Sequence, residues 1–387
     1  MRTTNLERII ICAFLIYPCR FFVAATQDKS RLVYTSTQER VWVNEGNLET
    51  IVGYFFYVFI VILLLIQLSK SQTNIKISPS FLTIFFLYVM GAIYNRSNWP
   101  ITEIVGMSVF FLILLAVDSS SLSQALVKKL RFLQSVIVLV VILFSLIDDS
   151  RSFTKCTFEK CSISGKLLTS FFPHENALAL FLFLGSILFL NKKSYYNFLM
   201  VAIHGFLVLM TGSRLVIVIF LIMLLCTLLK SLALYVAIWA ISTSAAILYF
   251  TLADLNALTG RGLIFLIGRH IFFENPLFGY GFGALTDSYS NEGFINYRVS
   301  HEHNGIGAIL LRHGLVGAFS FVFCLVKIGK DISRKSRLQL LLLLGLVLTF
   351  PTESASDFTL QNYSSWVYLI VFTSLVDDDR KIRKNYF

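Results

Sequence analysis

Apolar runs of roughly 15 to 22 residues recur along the whole chain, separated by short polar stretches, a pattern that predicts a series of helices each crossing a bilayer. The spans predicted are residues 9 to 25, 51 to 68, 81 to 94, 101 to 117, 132 to 147, 176 to 190, 197 to 211, 215 to 229, 232 to 252, 304 to 326, 338 to 350 and 363 to 376. Several are short for a hydrocarbon core about 30 Å thick. The expected fold class is all-α, with residues 1–387 as a single polytopic membrane domain of about twelve transmembrane helices. Two polar stretches stand out between the spans: a large loop at 253–303, and a second at 148–175.

Composition agrees with this pattern. Hydrophobic residues make up 56% of the chain and charged residues only 14%, against roughly a quarter charged in soluble proteins. The sign of the charge then orients the spans. With both termini on the cytoplasmic side, the inner segments hold 19 of the 33 basic residues and six of the 22 acids, so the inside nets +13 and the remainder −2. That is the positive-inside pattern. The overall +11 is thereby assigned to orientation and to anionic lipid headgroups, not to nucleic acid.

The first run begins like a signal peptide, with Arg2 and Arg8 before an apolar stretch and a small-residue Val23-Ala24-Ala25 end. Pro18 and Arg20 interrupt it, and it is expected to stay as the first transmembrane helix. Among the six cysteines, Cys12, Cys19, Cys226 and Cys324 fall inside predicted spans, where a small apolar packing role suffices. Cys156 and Cys161 share the outer loop, where an oxidising compartment allows a bridge if the backbone turns enough; the sequence leaves bridged and free forms open.

On this topology the long polar segments face outward and the inside is nearly bare, so the chemistry collects outside. Asp377-Asp378-Asp379 has the spacing of a metal-binding carboxylate pair, but it runs into Arg380-Lys381-Ile382-Arg383-Lys384 and is read as a solvated tail. In the large loop, Gly262 to Phe273 has helical character and is too apolar for a free loop. It is expected to lie along the outer interface, with Arg261 and Arg269 within one quadrant of the helix and directed at headgroup-level anions. Asn275-Pro276 should end it, and Gly279, Gly281 and Gly283 then permit tight turns. A second constellation is Thr211-Gly212-Ser213-Arg214 between two spans, where the arginine either snorkels to phosphate headgroups or joins a site.

A third is His301-Glu302-His303-Asn304 at the lip of the tenth span, where helix N–H groups favour an anion. His301 and His303, two residues apart, would not share a face of a continuous helix, which argues against a two-histidine metal site. Arg312 would lie about 13 Å below the start of that helix at 1.5 Å per residue, and a structural role is expected for it. His174-Glu175-Asn176 precede the sixth span, either as a helix cap or as a wall of a site. Glu353 and Asp357 are either solvated loop acids or sugar-binding carboxylates.

Taken in order, Phe172-Pro173-His174-Glu175-Asn176, Thr211-Gly212-Ser213-Arg214, Gly260-Arg261 followed by Glu274-Asn275-Pro276-Leu277-Phe278-Gly279-Tyr280-Gly281-Phe282-Gly283, and His301-Glu302-His303-Asn304 followed by Gly314-Leu315-Val316-Gly317, the chain resembles the O-antigen ligase and polymerase family of bacterial membrane glycosyltransferases. The resemblance covers roughly residues 165 to 330. It implies a GT-C-like multi-pass fold in the bacterial inner membrane with the active site facing the periplasm, and an inverting transfer of an undecaprenyl-diphosphate-linked oligosaccharide to an acceptor hydroxyl. It also implies a flippase and a chain-length regulator as partners, and neither a cofactor nor a metal. Carried over, Arg214 and Arg261 would bind the diphosphate leaving group and His303 would be the base or orienting group for the acceptor. Arg269, His301, Asn304, His174, Asn176 and Glu353 would line the substrate site. The branch implied is the polymerase of surface polysaccharide, with the ligase that moves O-antigen onto lipid A core as the alternative, and a small-anion transporter as the non-enzymatic one. The large loop carries Arg261, Arg269 and Arg298 against Asp254, Glu274, Asp287, Glu292 and Glu302, a balance that suits neutral or cationic sugars.

Overall fold

The computed structural model describes residues 5–26, 30–34, 40–44, 124–156, 161–172, 174–190, 194–229, 232–252, 261–280, 305–333 and 337–349, with six isolated positions between 55 and 66. Helices take up 83% of these residues, which establishes a mostly helical fold. The chain divides into two compact units, one built from residues 1–72, 120–229 and 367–387, the other from residues 73–119 and 230–366.

In the first unit the helices are α1 (Asn5–Thr26), α2 (Gln124–Ile147), the short α3 (Asp149–Ser152), α4 (Glu175–Leu190), α5 (Tyr195–Thr211) and α6 (Arg214–Leu229). Two antiparallel hairpins accompany them, β1 (Ser30–Tyr34) with β2 (Arg40–Asn44), and β3 (Phe153–Lys155) with β4 (Lys166–Leu168). Polar contacts gather at the helix ends and sort them into two sets. At one end Lys129 Nζ meets Glu7 Oε2 at 2.7 Å, Arg131 Nε donates to the Leu188 carbonyl at 2.6 Å, and Ser135 Oγ bonds Tyr196 Oη at 2.6 Å. At the other, Arg151 donates to the Ala25 carbonyl at 2.9 Å, and Ser213 Oγ donates to Asn176 Oδ1 at 2.9 Å. It follows that α1 and α2 run parallel, α4 runs against both, and α5 runs against α4.

Between the two ends the unit is filled with aromatic and aliphatic side chains. Phe14 packs on Phe181 and Phe21 on Phe172, while Phe22 meets both Phe144 and Phe171 edge-on. One polar cluster interrupts this core. His204 is fully buried; its Nδ1 donates to the Met200 carbonyl, which can only accept, so Nε2 is left to accept from the Gln134 amide at 3.1 Å. Gln134 lies directly over Gly185, where a Cβ would sit 2.1 Å from its Nε2.

The second unit contains α7 (Leu232–Leu252), α8 (Arg261–Glu274), α9 (Gly305–Ser333) and α10 (Arg337–Leu348). The helix expected from Gly262 to Phe273 thus runs from Arg261 to Glu274, and Asn275-Pro276 ends it as expected. The predicted span from 304 to 326 is not one continuous helix. Gly314 breaks α9 with φ 61° and ψ −164°, a conformation essentially confined to glycine. The break strips helical partners from the next two amides, and the turn after α8 replaces them: Leu315 N donates to Pro276 O at 2.8 Å and Val316 N to Leu277 O at 3.2 Å, while Tyr280 N donates to Leu311 O at 2.7 Å. The two backbones touch so closely that a Cβ on Gly314 would meet the Leu277 carbonyl carbon at 2.3 Å, and one on Gly279 would meet the Leu311 oxygen at 2.6 Å.

Several helices leave a purely apolar stripe exposed. On α2 it comprises Phe132, Val136, Leu139, Leu143 and Leu146, on α6 Val218, Leu221, Leu225 and Leu228, and on α9 Leu315, Val316, Phe319 and Phe323. Among the described residues one helical stretch, Leu126–Ile147, is long and apolar enough to cross a membrane, and the apolar helices Glu175–Leu190, Tyr195–Thr211, Arg214–Leu228 and Ile306–Phe319 are shorter. The expected twelve spans are therefore not supported by the described residues. A helix of 16 residues such as α4 rises only about 24 Å, short of a hydrocarbon core of about 30 Å. The predicted spans at 81–94, 101–117 and 363–376, and 51–68 apart from isolated positions, lie outside the described residues.

Because both glycines hold positive φ against a neighbouring backbone, Gly314→Ala and Gly279→Ala should each cost roughly 3 kcal/mol or more. The loss is to be read as a lowered thermal unfolding midpoint of the purified protein; Gly165→Ala, also at positive φ but with open space around it, should cost roughly 1 kcal/mol.

Candidate functional site

The Thr211–Arg214 turn is built by a helix ending and another beginning within two residues. Gly212 terminates α5 in the left-handed conformation, φ 65° and ψ 13°, and its N–H returns to Leu209 O at 3.2 Å. Thr211 Oγ1 accepts from Ser213 N at 3.3 Å. Ser213 then reaches Asn176, so the first turn of α4 and the start of α6 are joined by a side-chain bond, and Arg214, exposed, begins α6 beside that junction.

His174 takes the cap role that was one of its two readings: its Nδ1 accepts the Ala177 N–H at 3.1 Å, which fixes the neutral ring's proton on Nε2. The side chain is half-buried at the same helix end as the Thr211–Arg214 turn. Asn176 is a bonded partner of Ser213, a residue with no role in the sequence reading.

A third element seats this junction. Cys156 and Cys161 are bridged, with Cα atoms 4.7 Å apart, resolving the alternatives that the sequence left open. The bridge closes the tip of the β3–β4 hairpin, and that hairpin lies on Gly212: a Cβ there would stand 2.6 Å from Leu167 Cδ2 and 3.1 Å from the Cys161 carbonyl carbon. Two cations at the hairpin's base are paired with acids beside α3, Arg151 Nε with Asp148 Oδ2 at 3.2 Å and Lys166 Nζ with Asp149 Oδ2 at 2.8 Å. The close seat at Gly212 was not readable from Thr-Gly-Ser-Arg alone. Its only local signal was a glycine directly after an apolar run.

In the second unit, Arg261 is the first residue of α8 and Arg269 lies eight residues further along the same helix, as expected. Arg269 donates to the Thr251 carbonyl at the end of α7. That bond ties α8 to α7. Downstream, Glu274 ends α8 with its carboxylate between two partners: Tyr280 Oη donates to Oε2, and His270 Nε2 stands 3.7 Å from Oε1. Desolvation first, and the bond to Glu274 second, push the Tyr280 hydroxyl up to about 12. A value raised from 10.0 means the bond is intact below pH 10 and is lost as pH climbs towards 12. Arg312 is buried just ahead of the α9 break.

His301, His303, Asn304 and Glu353 lie outside the described residues. Arg214, His174 and Asn176 belong to the first unit and Arg261, Arg269 and Arg312 to the second. Among the described residues no group of three His, Cys, Asp or Glu side chains is placed to hold a metal ion. Compared with known proteins, the chain matches no protein-family model and no curated sequence.

Reducing the Cys156–Cys161 bridge should loosen the seat of Gly212. Closing a loop of sequence separation 5 stabilises by about 2 kcal/mol in the chain-entropy description, so a Cys156→Ser/Cys161→Ser double variant should show faster hydrogen exchange at residues 209–214, with unchanged exchange in α7 and α8.

Proposed function

We propose that this protein is a polymerase of bacterial surface polysaccharide, an inverting membrane glycosyltransferase that transfers an undecaprenyl-diphosphate-linked glycan to the hydroxyl of a lipid-linked repeat unit at the periplasmic face of the inner membrane. About twelve membrane spans, the bilayer as immediate surroundings, and a flippase and chain-length regulator as working partners belong to the same reading.

The observation that carries it is the Ser213–Asn176 bond. Two separate motifs that resemble those of the O-antigen ligase and polymerase family, the one around His174–Asn176 and the one ending in Arg214, are held at one helix end, 2.9 Å apart through that pair. A guanidinium there is well suited to a departing lipid diphosphate, since its planar donors match phosphate oxygens in pairs. The exposed apolar stripes of α2, α6 and α9 support the bilayer, because contiguous apolar faces of that length are costly in water.

In this reading Arg214 and Arg261 neutralise charge on the leaving diphosphate and His303 takes or orients the acceptor proton, a task suited to an imidazole with an ordinary value near 6.5. The interface arginines provide that stabilisation directly, and the mechanism requires no cofactor. His301, Asn304 and Glu353 complete the substrate wall in the same reading.

In a strain lacking the gene, Arg214→Lys, Arg261→Lys and His303→Ala variants should each cut chain production by ~10²-fold or more while the protein still accumulates in the membrane. Lipid-linked single repeat units should pile up on analysis of extracted undecaprenyl species. Long chains stranded on undecaprenyl would instead identify the ligase reaction, and unimpaired chains in all three variants would refute the site.

A further inference from the structure

The exposed face of α8 differs from the stripes on α2, α6 and α9. Those carry only aliphatic and phenyl side chains, as a hydrocarbon contact requires; α8 exposes His270, Phe273 and Glu274 together, and the turn behind it exposes Phe278. Glu274 occupies the last turn of the helix, where the carbonyl end of the macrodipole disfavours a negative charge. The carboxylate kept there takes the Tyr280 hydroxyl as its partner instead of the helix end.

Its surroundings hold it ready. The Tyr280 hydroxyl donates to one oxygen and the His270 ring stands 3.7 Å from the other, so one carboxylate oxygen is held while acceptor positions remain towards solvent. The turn that brings Tyr280 round is closed on itself by Asn275 Nδ2 donating to Gly279 O at 2.8 Å and is bonded to α9 through Leu311. Phe273, 73% exposed, is set edge-on against Phe272 at 5.5 Å. A rigid phenyl face beside an oriented carboxylate matches a pyranose ring, which presents an apolar C–H face and an edge of hydroxyl donors. The negative charge repels phosphates, so a lipid diphosphate does not fit here.

We infer that Phe273, Glu274, Tyr280 and Phe278, with His270, form a carbohydrate subsite that takes a neutral or amine-bearing sugar of the glycan, by stacking on Phe273 and by hydrogen bonds from sugar hydroxyls to Glu274. This rests on the polymerase reading for its place in the reaction, where it holds the acceptor glycan. The binding itself can be measured without any turnover.

The probe is a set of fluorescently tagged oligosaccharides of one to four repeat units, released by mild acid from the surface polysaccharide of the source strain and titrated into the purified full-length protein. Wild-type protein should bind them. Glu274→Gln should weaken binding about tenfold, and Tyr280→Phe and Phe273→Ala about fivefold, with Phe273→Tyr restoring it and thermal unfolding unchanged in all. Arg214→Lys should bind as wild type does. Equal binding by Glu274→Gln and wild type, or no binding by wild type at millimolar probe, overturns the subsite. So does wild-type binding only to phosphatidylethanolamine vesicles, lost in Glu274→Gln, which assigns the face to a lipid headgroup. Normal chain synthesis by Arg214→Lys refutes the polymerase site and leaves the binding result standing.

Discussion

Backbone N–H and C=O groups surrounded by apolar side chains must find partners within the protein, and this requirement shapes most of what is described above. It is clearest at Gly314. A helix broken in an apolar body leaves amides unsatisfied, and here the carbonyls of Pro276 and Leu277 take the amides of Leu315 and Val316. The same demand is met at the end of α4, where the Arg131 guanidinium takes the Leu188 carbonyl, and inside α5, where the His204 ring takes the Met200 carbonyl. Hydroxyls satisfy carbonyls one turn back at Ser135, Ser145, Ser186, Thr211 and Thr227.

Satisfying those groups at helix ends also sorts the chemistry. Charged and hydrogen-bonding side chains of the first unit collect at its two ends and leave Gln134 and His204 as a polar pair between them. Arg214 is exposed because it opens a helix at one of those ends, and the turn that holds it is shaped from two directions, by Asn176 through Ser213 and by the bridged hairpin through Gly212. Neither support is a charged group. Arg214 is thus placed by close backbone contact and one neutral hydrogen bond.

Much of this was legible in the sequence. Apolar periodicity located α2, α4, α5, α6 and α7 to within several residues, and the span from Gly262 to Phe273 was read as a helix with a stop at Asn275-Pro276, because proline and the apolar run left few alternatives. The break in α9 was not read. Gly314 follows Arg312-His313 inside a predicted span, and a single glycine there is compatible with a continuous helix unless a partner backbone approaches, a fact held by residues 276–280 almost forty positions earlier. For the same reason the alternating glycines after α8 were seen as a turn without a purpose. Glu274 was read as a loop charge and as the first residue of the Glu274-to-Gly283 motif, without its bond to Tyr280, since nothing local connects the two side chains. Arg269 was assigned to an anion because a guanidinium on an apolar helix invites that reading, and its bond to Thr251 is a tertiary fact.

The parallel course of α1 and α2 carries a further consequence. Glu7 and Lys129 meet at one end, Ala25 and Arg151 at the other, so both helices ascend in the same sense. Residues 27 to 123 must therefore leave from the top of one helix and re-enter at the foot of the other. The chain between them has to cover the length of a helix on its way back, about 33 Å for the 22 residues of α1 at 1.5 Å per residue.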